Sequence, residues 1–151
     1  MSRLLIANAR LVDPAAGTET PGALLVEHGK IAAHGPTLGQ DGSIDAERLD
    51  AGGLVLAPGL VDLRVQLGEP GAEHKESFAS GALAAVAGGG TSFACLPGTQ
   101  PPIDDPSMVE FVARRARRVR LAKVYPYAAI TKGLKGQELA EFGLLRDAGA
   151  V

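Results

Sequence analysis

The stretch from Pro58 to Glu76, PGLVDLRVQLGEPGAEHKE, holds the densest set of groups in the chain that could do chemistry. Read as a strand, its alternate side chains share a face, so Asp62, Arg64 and Gln66 point one way and Val61, Leu63, Val65 and Leu67 the other. Arginine carries a permanent positive charge and five donors but no acceptor, so Arg64 repels a metal cation instead of ligating it. Gln66 offers one neutral amide oxygen, a poor zinc ligand. Two uses remain for the polar set. Either Arg64 captures an anion, or it closes an internal salt bridge with Asp62, because a buried charge must be paired whatever its purpose.

The other reactive types are sparse. His28, His34 and His74 are the only histidines, none stands at ligand spacing from another, and each reads as structural or solvated. Cys95 has no base beside it and reads as a buried structural thiol. A single cysteine makes no internal disulfide, so a reducing, cytoplasmic setting is expected. The run RRARRVR at 114–120 reads as the solvated face and last turn of a helix, where cations suit the dipole; docking of an acidic partner is its alternative use.

The elements that must position these groups fall into two textures. Residues 4–7, 9–12, 23–27, 30–34 and 54–56 read as short strands broken by Asp13-Pro14, Pro21-Gly22, Gly35-Pro36 and a hairpin turn at His28-Gly29. From about residue 57 apolar strands alternate with helical segments, the signal for β/α units around a parallel sheet. Strands are expected at 60–66, 91–95 and 121–129, with helices at 74–87, 106–118 and 136–148. Gly88-Gly89-Gly90 ends a helix and enters a strand, so it reads as a helix terminator and not a phosphate loop. Ala150-Val151 reads as the opening of a fourth strand. Three units would leave sheet edges uncovered, and a full eight-unit barrel takes about 250 residues. The expectation is therefore a small β segment at 1–56, followed by the first three β/α units of a longer barrel at 57–151.

Composition excludes some classes. Of 151 residues, 46% are hydrophobic and 21% charged, an ordinary globular mixture, and the net charge of −2 supplies no general field for nucleic acid. No apolar run approaches the roughly 20 residues needed to span a bilayer.

The segment at 58–76 resembles dihydroorotases and related cyclic amidohydrolases, which carry a Pro-Gly-x-x-Asp-x-His-x-His-x-Arg-Glu-Pro-Gly pattern on the first barrel strand. The resemblance continues through Glu73-His74-Lys75-Glu76, Gly88-Gly89-Gly90-Thr91, Leu96-Pro97-Gly98-Thr99, Ile103-Asp104-Asp105-Pro106 and Ala129-Ile130-Thr131-Lys132-Gly133. It implies an α/β fold, the first units of a (β/α)8 barrel of the TIM type preceded by part of a small β-sandwich, with zinc as the family's cofactor. Where the family has its two zinc-binding histidines, this chain has Arg64 and Gln66. The family's carboxylate-binding arginine is Gly68 here, and the asparagine of its Pro-Asn-Thr element is Gly98. Glycine supplies no side-chain donor.

The resemblance therefore implies a catalytically degenerate relative that holds no zinc on this strand. Without a metal to bring the pKa of bound water toward 7, ring-amide hydrolysis lacks a nucleophile. Degenerate dihydroorotases of this kind assemble with aspartate transcarbamoylase, so a structural or regulatory subunit of pyrimidine biosynthesis is expected, with that enzyme as partner and a homo-oligomeric state. Two alternatives stand beside it. One is an active cyclic amidohydrolase with a reorganised site; the other is a sensor in which Arg64 captures an anionic metabolite.

Overall fold

The computed structural model describes residues 3–151. The chain divides between Pro58 and Gly59 into two compact units.

The first unit is a five-stranded sheet. It contains β1 (Arg3–Asp13), β2 (Thr18–Glu27), β3 (Lys30–Gly35), β4 (Glu47–Asp50) and β5 (Val55–Leu56). The order is β3-β2-β1-β4, and β5 also pairs with β1. The hairpins are antiparallel, whereas β4 and β5 run parallel to β1. Alternation of apolar residues puts Leu5, Ala7, Ala23 and Leu25 into one small core, with Ile44 and Leu38 packed on it. The two strands expected at 4–7 and 9–12 are one. Asn8 adopts a left-handed conformation (φ 55°) at a register shift between Ile6 and Ala9, so the polar residue marks a bulge and not a strand end. Pro21 and Gly22, expected as a turn, lie within β2. Pro21 sits beyond the stretch paired with β3, where its missing N–H costs nothing. A Cβ on Gly22 would fall 2.6 Å from the Gly35 carbonyl oxygen, so close approach explains the glycine. His28 and Gly29 both have positive φ and turn β2 into β3.

The second unit is mixed α/β. Its strands β6 (Leu60–Val65), β7 (Gly90–Cys95) and β8 (Lys123–Pro126) form a parallel sheet in the order β6-β7-β8. The connections carry α1 (Phe78–Ala87) and α2 (Pro106–Val119), and α3 (Phe142–Asp147) follows β8. Helix α1 starts four residues later than the sequence suggests. Ser77 and Ser80 cap each other's backbone, the Ser77 hydroxyl accepting from Ser80 N at 3.1 Å and the Ser80 hydroxyl from Ser77 N at 2.9 Å. His74 therefore lies in a turn ahead of the helix. Helix α2 is capped by Asp105, which accepts from Ser107 N at 2.7 Å and Met108 N at 3.3 Å, with Pro106 opening the first turn and Arg120 ending it in the left-handed region.

The helix expected over 136–148 is confined to α3. Gly133 and Gly136 have positive φ, and the segment folds back on itself: Lys132 N donates to Glu138 O at 2.9 Å and Ala140 N to Ile130 O at 3.0 Å. The strand expected over 121–129 shrinks to Lys123–Pro126, and one further bond, from Tyr127 N to Cys95 O at 2.9 Å, closes its pairing with β7. Strand β4, all of whose residues are exposed, had no apolar alternation to announce it.

One cluster holds the second unit together. It joins Leu67, Phe78, Phe93, Ile103, Val109, Val112 and Leu145, the two valines lying three apart on the inner face of α2. Each such side chain contributes about 1.5–3 kcal/mol when fully buried. Among the described residues no helix is long and apolar enough to cross a membrane.

Candidate functional site

The residues singled out by chemistry collect where β6 and β7 end. The ladder steps three residues on β6, from Asp62 to Val65, while it steps two on β7, from Phe93 to Cys95. The extra residue breaks the alternation that would put Asp62, Arg64 and Gln66 on one face.

Arg64 and Asp62 are both exposed, and no ion pair joins their side chains. Asp62 Oδ1 instead accepts from the Arg64 backbone N–H at 2.9 Å. In the described chain neither charge is buried, so nothing forces the two to pair.

Gln66 and Gly98 are neighbours. The Gln66 amide nitrogen donates to the Gly98 carbonyl at 3.2 Å and to the Leu67 carbonyl at 3.3 Å. A Cβ on Gly98 would meet the Gln66 amide at 3.8 Å, an ordinary contact. Gly68 is different. Its N–H donates to Glu76 O at 2.9 Å, and its carbonyl accepts from Ala72 N at 2.6 Å, so the loop 68–76 closes on it. A Cβ at 68 would overlap the Ala72 carbonyl and lie 2.9 Å from Glu76 O. The loop backbone thus occupies the room that a side chain at this position needs.

Together Gln66, Gly68, Lys75, Glu76, Gly98 and Thr99 line most of a cavity of about 430 Å³. Its one cation is Lys75. The Thr99 hydroxyl donates to Pro101 O at 2.7 Å and is already engaged. The residues on this strand do not fit the family's zinc, since Arg64 is a cation and the Gln66 amide is turned onto two carbonyls. Among the described residues no three His, Cys, Asp or Glu side chains come together as a metal site. His28, His34 and His74 are all exposed. Cys95 is buried in the core cluster, and desolvation pushes its thiol up to about 11.

Sequence reasoning missed what holds this end of the unit. Glu69, next to Gly68, is buried; it accepts from Phe78 N at 2.9 Å and from Arg115 Nε at 2.5 Å. Asp104 Oδ2 accepts from Gly133 N at 2.6 Å. The signals were present, because Glu69 and Asp104 both stand in the segments that carry the resemblance, yet neither had a visible partner along the chain. Glu69 and Asp104 serve the framework, whereas Gln66, Gly68 and Gly98 lie on the cavity.

Comparison with known proteins agrees with the framework. The family model described as dihydro-orotase-like matches residues 53–151. The chain is 44% identical to a dihydroorotase of Syntrophotalea carbinolica over 149 residues, covering 99% of this chain and 34% of that protein. It is 40% identical to a dihydroorotase of Aquifex aeolicus over 151 residues, covering 100% of this chain and 35% of that one. The chain thus spans about a third of the length of the curated relatives it matches. Among solved structures it resembles an L-hydantoinase (dihydropyrimidinase) from Arthrobacter aurescens, with a TM-score of 0.80 and 28% identity over 99% of this chain and 32% of that one.

Proposed function

Because the chain belongs to the dihydro-orotase-like family, we propose that it forms part of a non-catalytic member of it, a structural or regulatory subunit that associates with aspartate transcarbamoylase in pyrimidine biosynthesis. In this reading the second unit opens a (β/α)8 barrel and the first is part of a small β-sandwich. The chain assembles as a homo-oligomer and contributes surface, not chemistry.

The observation that carries the reading is the closure of the loop on Gly68. A glycine in an otherwise intact pocket would leave a gap that a ligand or a water could fill. Here the backbone takes the space, which supports a reading in which no side chain acts from this position. Arg64 and Gln66 add to it, since neither supplies the imidazole nitrogen that zinc takes from this strand in the family.

Size-exclusion chromatography with light scattering tests the proposal, with the protein alone and then mixed with the transcarbamoylase of the same organism while that activity is followed across the peaks. A co-eluting assembly with altered transcarbamoylase activity is expected. Two separate peaks at micromolar concentrations would sink it. A second reading, an active cyclic amidohydrolase with a reorganised site, draws on the relatives named dihydroorotase. It requires bound zinc together with ring-opening of dihydroorotate, and finding neither ends it.

A further inference from the structure

Helix α2 delivers its arginines unevenly. Arg115 turns to the buried Glu69, whereas Arg114, Arg117, Arg118 and Arg120 line one surface concavity by themselves. Between residues 114 and 123 lie six of the chain's 15 lysines and arginines and no acidic residue. Among the described residues only Arg115 of these six has a carboxylate within ion-pair distance. Favourable interaction with the helix dipole suits one or two cations in the last turn. It does not account for four unpaired arginines, because like charges three and four residues apart on a helix repel.

A second concavity adjoins the first and shares Arg117 and Arg120 with it. It has a volume of about 570 Å³, lies between α2 and β8, and has a largely apolar floor that includes Leu121 and Tyr125, which are 49% and 41% exposed; Lys123 completes its rim. An apolar slot edged by three cations recognises a particular chemistry: an apolar side chain inside the slot, carboxylates on either side of it. Nucleic acid fits less well. The floor carries one aromatic ring and no ladder of them for stacking bases, and the chain's net charge of −2 gives no long-range attraction for a polyanion.

The position matters as much as the composition. The slot sits where β8 begins and α2 ends, while Gln66 and Gly98 lie where β6 and β7 end. In a parallel sheet these are opposite ends, so the slot is separate from the candidate site and does not depend on which enzyme the chain assists.

We propose that the arginine-rich end of α2, with the apolar slot it shares with the start of β8, is a docking surface for an acidic protein segment that inserts an apolar side chain.

The test is a fluorescence-anisotropy titration of the full chain with a labelled peptide in which glutamates flank a pair of leucines, at low ionic strength. The peptide is expected to bind, with affinity reduced at least about tenfold in the double variant R117E/R120E. Lys30→Glu, an exposed change in the first unit, should leave it within about twofold. Tyr125→Ala alters no charge and should weaken binding by about threefold or more, which separates a slot from a diffuse basic field. No binding, or equal losses in K30E and R117E/R120E, overturns the proposal. So does tighter binding of a single-stranded oligonucleotide of the same charge.

Discussion

Glu69, 3% exposed at its side chain, lies 2.5 Å from Arg115 Nε across 46 positions of sequence, and the pair ties the loop behind β6 to α2. The same carboxylate holds the first amide of α1. Removing Arg115 would leave Glu69 buried with one partner instead of two. A fully buried pair broken this way costs about 3–5 kcal/mol; with the arginine 44% exposed, Arg115→Ala should cost about 2–3 kcal/mol by urea denaturation. Arg114→Ala, one residue earlier on the solvent side, should stay within about 0.5 kcal/mol. Equal costs for the two would show that Arg115 has no special place in the run.

Gly68 tests the closed loop directly. It is not among the glycines with positive φ, so its requirement is space and not backbone freedom. Gly68→Ala should destabilise by about 1–3 kcal/mol, as overpacking against rigid atoms does, and Gly68→Arg by more. Gly98→Ala should be tolerated, because its nearest neighbour is a side-chain amide at 3.8 Å. Thermal unfolding of the three variants reads this, and a harmless G68A would mean that the loop opens freely.

Cys95 should be inert. With its thiol pushed up to about 11, the reactive thiolate at pH 8 is only about one part in a thousand, so thiol reagents should label it only after unfolding. The folded value lies above the unfolded one, and the folded state keeps the proton longer. Stability linked to this group is complete below about pH 9 and is lost as pH rises from about 9 to about 11. Cys95→Ala should flatten that alkaline decline when unfolding is followed across the range. An unchanged profile would assign the decline to other groups.

Sequence legibility followed the reach of the signal. Helix α2 could be read almost to the residue, since Asp105, Pro106 and an inner stripe through Val109, Val112 and Ala116 are all local. Helix α1 begins later than the pattern predicts: Glu73, Lys75 and Glu76 are good helix formers, but the Ser77–Ser80 cap starts the helix at Phe78. Strand β4 is four exposed residues, Glu47 to Asp50, held by backbone pairing to β1, and pairing across 43 positions leaves no trace in side-chain pattern. The same division governs the site. That Arg64, Gln66, Gly68 and Gly98 differ from the family pattern is written in the residues, whereas the bulge between Asp62 and Val65 arises from pairing with a distant strand, and the loop folded onto Gly68 from backbone hydrogen bonds that side-chain pattern does not announce.

The double variant R64H/Q66H separates a missing metal from a rebuilt pocket. It puts imidazoles at the two positions where the resemblance expects them, and neutral imidazole is a good zinc ligand. If loss of the histidines were the whole defect, the variant should hold more zinc and begin to open dihydroorotate. Gly68 and Gly98 would still offer no side-chain donor for a substrate, and the loop backbone would still fill the space beside Gly68. The expected outcome is therefore no ring opening above background, whatever the zinc content found by atomic absorption. Turnover that rises with zinc content would mean that the pocket remains a working one, and the active amidohydrolase would replace the subunit as the better account of this chain.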